Sequence, residues 1–165
     1  MKSVMLSIQP KWVDKIVRGE KTIEVRKTRP KIKTPFKCYI YCTYGQENEN
    51  YMLGKRGKVI GDFVCERIVE NFKYLVTPKG LECACLSEQE VCDYLGFNGG
   101  YGWHISDLKI YDKPKELGEF RKPCPYGDLS CSICPSCDKD ENDNLIQCFN
   151  TVSRPPQSWC YVEEV

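Results

Sequence analysis

Histidine is nearly missing from this chain, with His104 the only one in 165 residues. A mechanism that needs two histidines, as an acid–base pair or as metal ligands, is therefore excluded, and a lone His beside Trp103 reads as a structural residue although it titrates near neutrality. Long apolar runs are missing too, and no stretch approaches the ~20 residues of a membrane-spanning helix. Residues 1–30 lack the apolar core and cleavage pattern of a secretory signal, so a cytoplasmic chain without a membrane partner is expected. Net charge is also scarce, with 24 Lys and Arg against 23 Asp and Glu, but the balance conceals an asymmetry. Residues 1–37 hold eleven bases and three acids, which leaves thirteen bases and twenty acids for the rest. Arg26, Lys27, Arg29, Lys31 and Lys33 put five cations within eight residues. Such a patch attracts phosphate without specifying a base sequence, and its ordinary alternative is a solvated face with no partner.

The length suits one principal domain, and 41% hydrophobic with 28% charged residues indicates a globular chain with a sizeable core. Near the N-terminus, Pro10 opens a helical pattern in which Val13, Ile16 and Val17 share one side and Gly19 is the stop. From Lys21 the period changes to two, with Ile23 and Val25 on one face and Thr22, Glu24 and Arg26 on the other. Side-chain origins two residues apart on a strand are roughly 6.5–7 Å apart, so Glu24 and Arg26 can share a ligand, with Lys21 at the junction. As a plain solvated face these charges would form surface ion pairs contributing about 0–1 kcal/mol each.

Further along, residues 36–43 read as a strand, 44–55 as a polar loop, and 58–68 as a long strand with Gly61 at a bend or bulge. Ser87 and Glu90 form a capping box for a helix that Gly96 ends, and residues 103–111 and 159–163 read as further strands, giving five or six in all. Ten of the twelve cysteines fall into two groups. Cys38, Cys42, Cys65, Cys83, Cys85 and Cys92 lie in strand and helix patterns and read as small core residues. Cys124, Cys131, Cys134 and Cys137 instead follow a C-x6-C-x2-C-x2-C spacing in a Pro- and Gly-containing segment too poor in apolar residues to fold by packing. Four thiolates at ~2.3 Å make a closed, structural zinc site, so one Zn2+ per chain is expected, with Cys148 a substitute for Cys124. An iron–sulfur run and a disulfide cluster are the alternatives. The neighbouring acidic patch over 138–143 would repel phosphate, so a nucleic-acid face lies elsewhere. Tyr39, Tyr41, Trp103, Trp159 and Tyr161 are candidates to stack a base, at about 1–3 kcal/mol each, although at least three of them are expected in the core.

Residues 5–10, the helix, Gly19-Glu20-Lys21-Thr22-Ile23-Glu24-Val25-Arg26, residues 57–63 and Tyr101-Gly102-Trp103-His104-Ile105 together resemble an ASCH domain of the PUA-like superfamily. The resemblance runs over residues 3–112 and resumes near Pro155-Pro156-Gln157-Ser158-Trp159. It implies a mainly β fold with short helices (α+β), a PUA-like and mostly antiparallel β-barrel with a cleft beside the first helix. The barrel would comprise 1–112 and 155–165, and 113–154 would be a Cys-rich, zinc-binding insertion. Many relatives bind RNA; others resemble these in fold but are ribonucleases or an amidohydrolase that deacetylates a modified cytidine. In the amidohydrolase pattern Lys21 and Arg26 match, but Glu24 stands where the threonine nucleophile belongs. A carboxylate there holds its neighbours charged instead of forming an ester, and a charged lysine is a poor base. The expected function is therefore binding of RNA or a modified nucleoside by Lys21, Glu24, Arg26, Lys27, Arg29, Trp103 and Trp159. The alternatives are a hydrolase of a modified-base amide or an RNA phosphodiester, with Glu24 as base and Lys21 as electrostatic stabiliser, and a protein-interaction module acting through the cysteine-rich insertion.

Overall fold

The computed structural model describes residues 2–45, 52, 54–123, 137–139, 141–142, 145–148 and 150–164. In chain order its elements are β1 (Ser3–Ile8), α1 (Pro10–Val17), β2 (Ile23–Arg26), β3 (Phe36–Cys42) and β4 (Lys58–Glu70). Three short helices follow, α2 (Phe72–Leu75), α3 (Pro78–Ala84) and α4 (Glu88–Leu95), and then β5 (Tyr101–Lys115). A 3-10 turn (Leu117–Glu119), β6 (Phe120–Arg121), β7 (Cys137–Lys139), β8 (Leu145–Cys148) and β9 (Trp159–Glu164) complete the order. Seven strands form one sheet in the order β2-β5-β4-β3-β1-β9-β6, while β7 and β8 form a separate hairpin.

The sheet is mainly antiparallel, as expected, but β1 and β3 run parallel. A parallel neighbour needs a crossover connection, and here α1 and β2 supply it. The sheet curls until β2 at one end meets the β1–β9 pair near the other. Side chains close that seam: Arg26 Nη2 donates to the Ser7 carbonyl at 2.8 Å, Trp159 Nε1 to Thr28 Oγ1 at 2.9 Å, and the Lys31 amide to Tyr161 Oη at 2.8 Å. Gly61 lies at a register shift between β4 and β5, and a Cβ there would collide with the Lys109 carbonyl.

Both faces of the central strands are covered. Val4, Leu6 and Ile8 of β1 pack with Ile40, Trp103 and the α1 residues Val13 and Ile16, while Met5 points into a second cluster with Tyr39, Tyr41 and Phe120. This explains why β1 and β3 read as near-continuous apolar runs. A third cluster seats Ile23 and Val25 against Phe72, Ala84, Val91 and Leu95, so α2–α4 cover the far side of β2. The capping box at Ser87 and Glu90 is formed as the sequence predicts. Helices α2 and α3 were not expected; Thr77 caps α3 and Pro78 opens it, a start signal obscured by Gly80 inside a helix of seven residues. Cys38, Cys42 and Cys65 are buried in the first cluster, and Cys83, Cys85 and Cys92 are half-buried, all as free thiols.

At the expected domain boundary the sheet runs on. Strand β5 continues to Lys115, β6 pairs with β9, and Val152 is buried beside Phe120. Of the expected zinc ligands, Cys124, Cys131 and Cys134 lie outside the described residues, whereas Cys137 sits on β7 opposite Cys148 of β8.

Candidate functional site

Three local features position the basic–acidic cluster. Gly19, at φ +75°, turns the chain out of α1, and the Glu20 and Lys21 amides donate back to the Lys15 carbonyl at 2.9 and 3.1 Å. The Thr22 amide donates to Cys83 O at 2.8 Å, tying the turn to α3. Strand β2 then pairs with β5, Glu24 opposite Trp103. With Ile23 and Val25 in the third cluster, alternation turns Glu24 and Arg26 toward α1.

The result differs from a solvated face. The side chains of Lys21, Glu24 and Arg26 are only 2%, 8% and 8% exposed. Glu24 takes one cation on each oxygen: Lys21 Nζ lies 3.4 Å from Oε2 and Arg26 Nη2 lies 3.1 Å from Oε1. Lys21 Nζ also donates to Ala84 O at 2.6 Å, the last carbonyl of α3, where a cation complements the helix end, and it lies 5.1 Å from the centre of the Trp12 ring. Arg26 Nη1 reaches Ser158 O and Oγ at 3.3 and 3.4 Å, while its Nε is buried without a hydrogen-bond partner among the described residues. Ion pairs this enclosed depend on complete partnering, because desolvating a charge is costly and one missing counter-charge exposes that cost in full.

This cluster forms one wall of a cavity of about 440 Å³ between α1, β2 and α4. The volume lies within the range of small-molecule sites, about 300–1,000 Å³. Besides Ser7, whose hydroxyl donates to Pro156 O, Trp12, Tyr94, Gln9, Gln157, Thr43 and Glu90 contribute functional groups to the lining. Sequence reasoning missed all six. Glu90 and Tyr94 are one turn apart on α4, on the face adjoining that of buried Val91 and Leu95, and that spacing was the available signal. Trp12 lies on α1 a turn from Ile16, but nothing local brings Gln157 to the same place.

The other expected ligand residues are placed differently. Lys27 lies outside the lining but its Nζ is 5.2 Å from the centre of the Tyr94 ring, at the rim. Arg29 pairs with Glu70 at 2.9 Å on the surface. Trp103 is fully buried, its ring against Phe36 and Trp159, so it has no free face for a base. Trp159 packs between Trp103 and Tyr161 and is not among the lining residues. Tyr39 and Tyr41 are buried as well, so three of the five aromatic candidates are core. His104 is absent from the lining, and burial, aided by Arg67, pushes its imidazole below the usual histidine value. Among the described residues no group of three or more His, Cys, Asp or Glu is placed to hold a metal ion, and no helix is long and apolar enough to cross a membrane.

A curled, mainly β domain with a cavity of mixed polar and apolar lining beside its first helix is the class to which this molecule conforms. The family model of the ASCH domain matches residues 6–103, more than half of the chain, and the chain belongs to the ASCH domain family. Its fold is similar to that of a crystal structure of ASCH from Zymomonas mobilis, at a TM-score of 0.60 and 21% identity over 98% of this chain and 87% of that one. A Tyr-to-Phe mutant of the Zymomonas mobilis protein aligns with a TM-score of 0.61 and 22% identity, covering 99% of this chain and 91% of that one. A Ser-to-Ala mutant gives 0.60 and 19%, covering 98% and 88%. No curated protein matches the chain.

Proposed function

We propose that the protein binds RNA or a modified nucleoside, with a base held in the cavity beside Lys21, Glu24 and Arg26 and the phosphates kept outside it. The observation that carries this reading is the state of the two buried cations. Lys21 is engaged by Ala84 O and Glu24, and Arg26 by Glu24, Ser7 O and Ser158. A phosphate could enter only by displacing Glu24, whereas an uncharged flat ring can lie against Trp12 or Tyr94 and exchange hydrogen bonds with Gln9, Gln157 and Thr43. The cations that remain for phosphate begin at the rim with Lys27 and continue through Lys31 and Lys33, all three exposed. Binding is favoured over hydrolysis by the same geometry, since both carboxylate oxygens of Glu24 are already engaged by cations and neither is free to approach a reacting proton.

The test is fluorescence anisotropy with a short single-stranded RNA, alongside calorimetry with free nucleosides. Log affinity for the RNA is expected to fall with log salt by about 0.7 for each phosphate neutralised, and Lys27→Ala, Lys31→Ala and Lys33→Ala together should flatten that slope. Tyr94→Ala, at a residue 41% exposed, should weaken binding by the about 1–3 kcal/mol of one stacked base while the fold persists. Salt-independent binding, or full affinity in the Tyr94 variant, overturns the reading.

The proposal extends to the insertion, where Cys124, Cys131, Cys134 and Cys137 would hold one structural Zn2+. The register that opposes Cys137 to Cys148 supports Cys148 as the alternative fourth ligand.

A further inference from the structure

A second, smaller cavity of about 210 Å³ opens among α2, α3 and α4 and shares no lining residue with the first. Its walls are Val76, Leu81, Val91 and Cys92, and its rim carries Lys73 and Glu88. Beside it the chain exposes large apolar groups that the core does not use. Phe97 is wholly exposed at 103%, and Tyr74 and Leu75 are 64% and 65% exposed. The turn that carries Phe97 is tied to α2, because Lys73 Nζ donates to Gly96 O at 2.6 Å and Tyr74 Oη to Phe97 O at 3.5 Å. Plug and groove are thus held in a set relation on one face.

We propose that this face is a two-fold dimer interface, with Phe97 of each copy seated in the groove of the other. A partner for this surface must supply an apolar plug for the groove and a pocket for the protruding ring, and a second copy supplies both. The rim charges favour the same occupant. Lys73 and Glu88 have opposite sign, so a uniformly basic or acidic segment satisfies one and opposes the other, while a two-fold axis brings Lys73 to the partner's Glu88 twice. Nucleic acid is disfavoured, because residues 71–100 carry four acids and two lysines. Presentation of Phe97 on a tied turn lowers the ordering cost of association.

Sedimentation equilibrium over micromolar to sub-millimolar protein tests this, with the full chain. The chain is expected to dimerise, and Phe97→Ser to weaken the dimer about a hundredfold, since each of two identical contacts loses about a tenfold contribution. Glu88→Lys should weaken it as well, because it turns attraction for the partner's Lys73 into repulsion while leaving the tie from Lys73 Nζ to Gly96 O in place. A monomer throughout the range overturns the proposal, as does a dimer indifferent to Phe97→Ser. So does a monomer in which Phe97→Ser weakens RNA binding, which would assign the aromatic patch to RNA. Because the variants lie outside the first cavity, RNA affinity measured in parallel separates failure of this interface from failure of the binding site.

Discussion

Replacing Glu24 by glutamine tests the central cluster most directly. The substitution keeps the size of the side chain and removes its charge, leaving the Lys21 and Arg26 cations facing each other in a site that is less than one-tenth exposed. Removing one partner of a buried ion pair costs about 3–5 kcal/mol. Here Lys21 keeps the Ala84 carbonyl at 2.6 Å and Arg26 keeps the Ser7 carbonyl at 2.8 Å, so the lower end, about 3 kcal/mol, is expected. At about 2–4 °C per kcal/mol for a chain of this size, the melting temperature should fall by roughly 6–12 °C. The matched control is Glu20→Gln, which removes an exposed partner 3.7 Å from Lys15 and should cost about 0–1 kcal/mol. Urea unfolding of the parent and both variants gives the comparison, read as a shift in midpoint at constant slope. Added salt should erase the small effect of the control and leave that of Glu24→Gln largely intact. If Glu24→Gln costs no more than Glu20→Gln, the cluster is not the enclosed, mutually dependent unit described above.

Three further outcomes follow from other parts of the molecule. Elemental analysis of protein purified without added metal should give close to one zinc per chain, and a stoichiometry near zero removes the zinc proposal. Ser87→Ala deletes the side chain that accepts the Glu90 amide in the capping box and should cost about 1 kcal/mol in thermal unfolding, with no change in the cavity wall formed by Lys21; an unchanged Tm would deny the cap any role. Burial pushes the Cys42 thiol up to about 11 and that of Cys65 to about 12, from an ordinary value near 9. Both stay neutral in the folded chain while the unfolded chain loses those protons, so their contribution is whole below pH 9 and declines as pH rises toward 11–12. Cys65→Ala should make the alkaline loss of the urea midpoint shallower, and an identical profile in the variant would contradict the burial argument.

The helix stop at Gly19 and the two-residue period after it made the Lys21, Glu24 and Arg26 grouping legible, because both are local signals. Their burial was not legible. The partners that enclose them are Ala84, Ser7 and Ser158, at sequence separations of 63, 19 and 132 residues, and no local pattern announces a backbone carbonyl so far away. The same reason hid Gln157, while Trp103 misled because an aromatic at a family-like position reads the same whether it stacks on a ligand or on Phe36. The parallel β1–β3 pair was obscured by the shortness of the crossover, an eight-residue helix and a four-residue strand.

Arg26 joins two tasks that are usually separate. It closes the seam between β2 and the β1–β9 pair and also forms part of the cavity wall, so the same guanidinium that holds the barrel together fixes the geometry a ligand meets. A wall anchored in this way is pre-organised: no side chain of the Lys21–Glu24–Arg26 cluster needs to be ordered when a ligand arrives, and little of its binding energy is spent there. It follows that loss of binding after changing Lys21 or Arg26 cannot be separated from loss of the barrel, and that ligand choice is set by groups with no such structural duty. Gln9, Gln157 and Tyr94 fit that description, and exchanging the amides for groups of opposite hydrogen-bonding character is therefore the change that should alter which base is accepted while the melting temperature stays put.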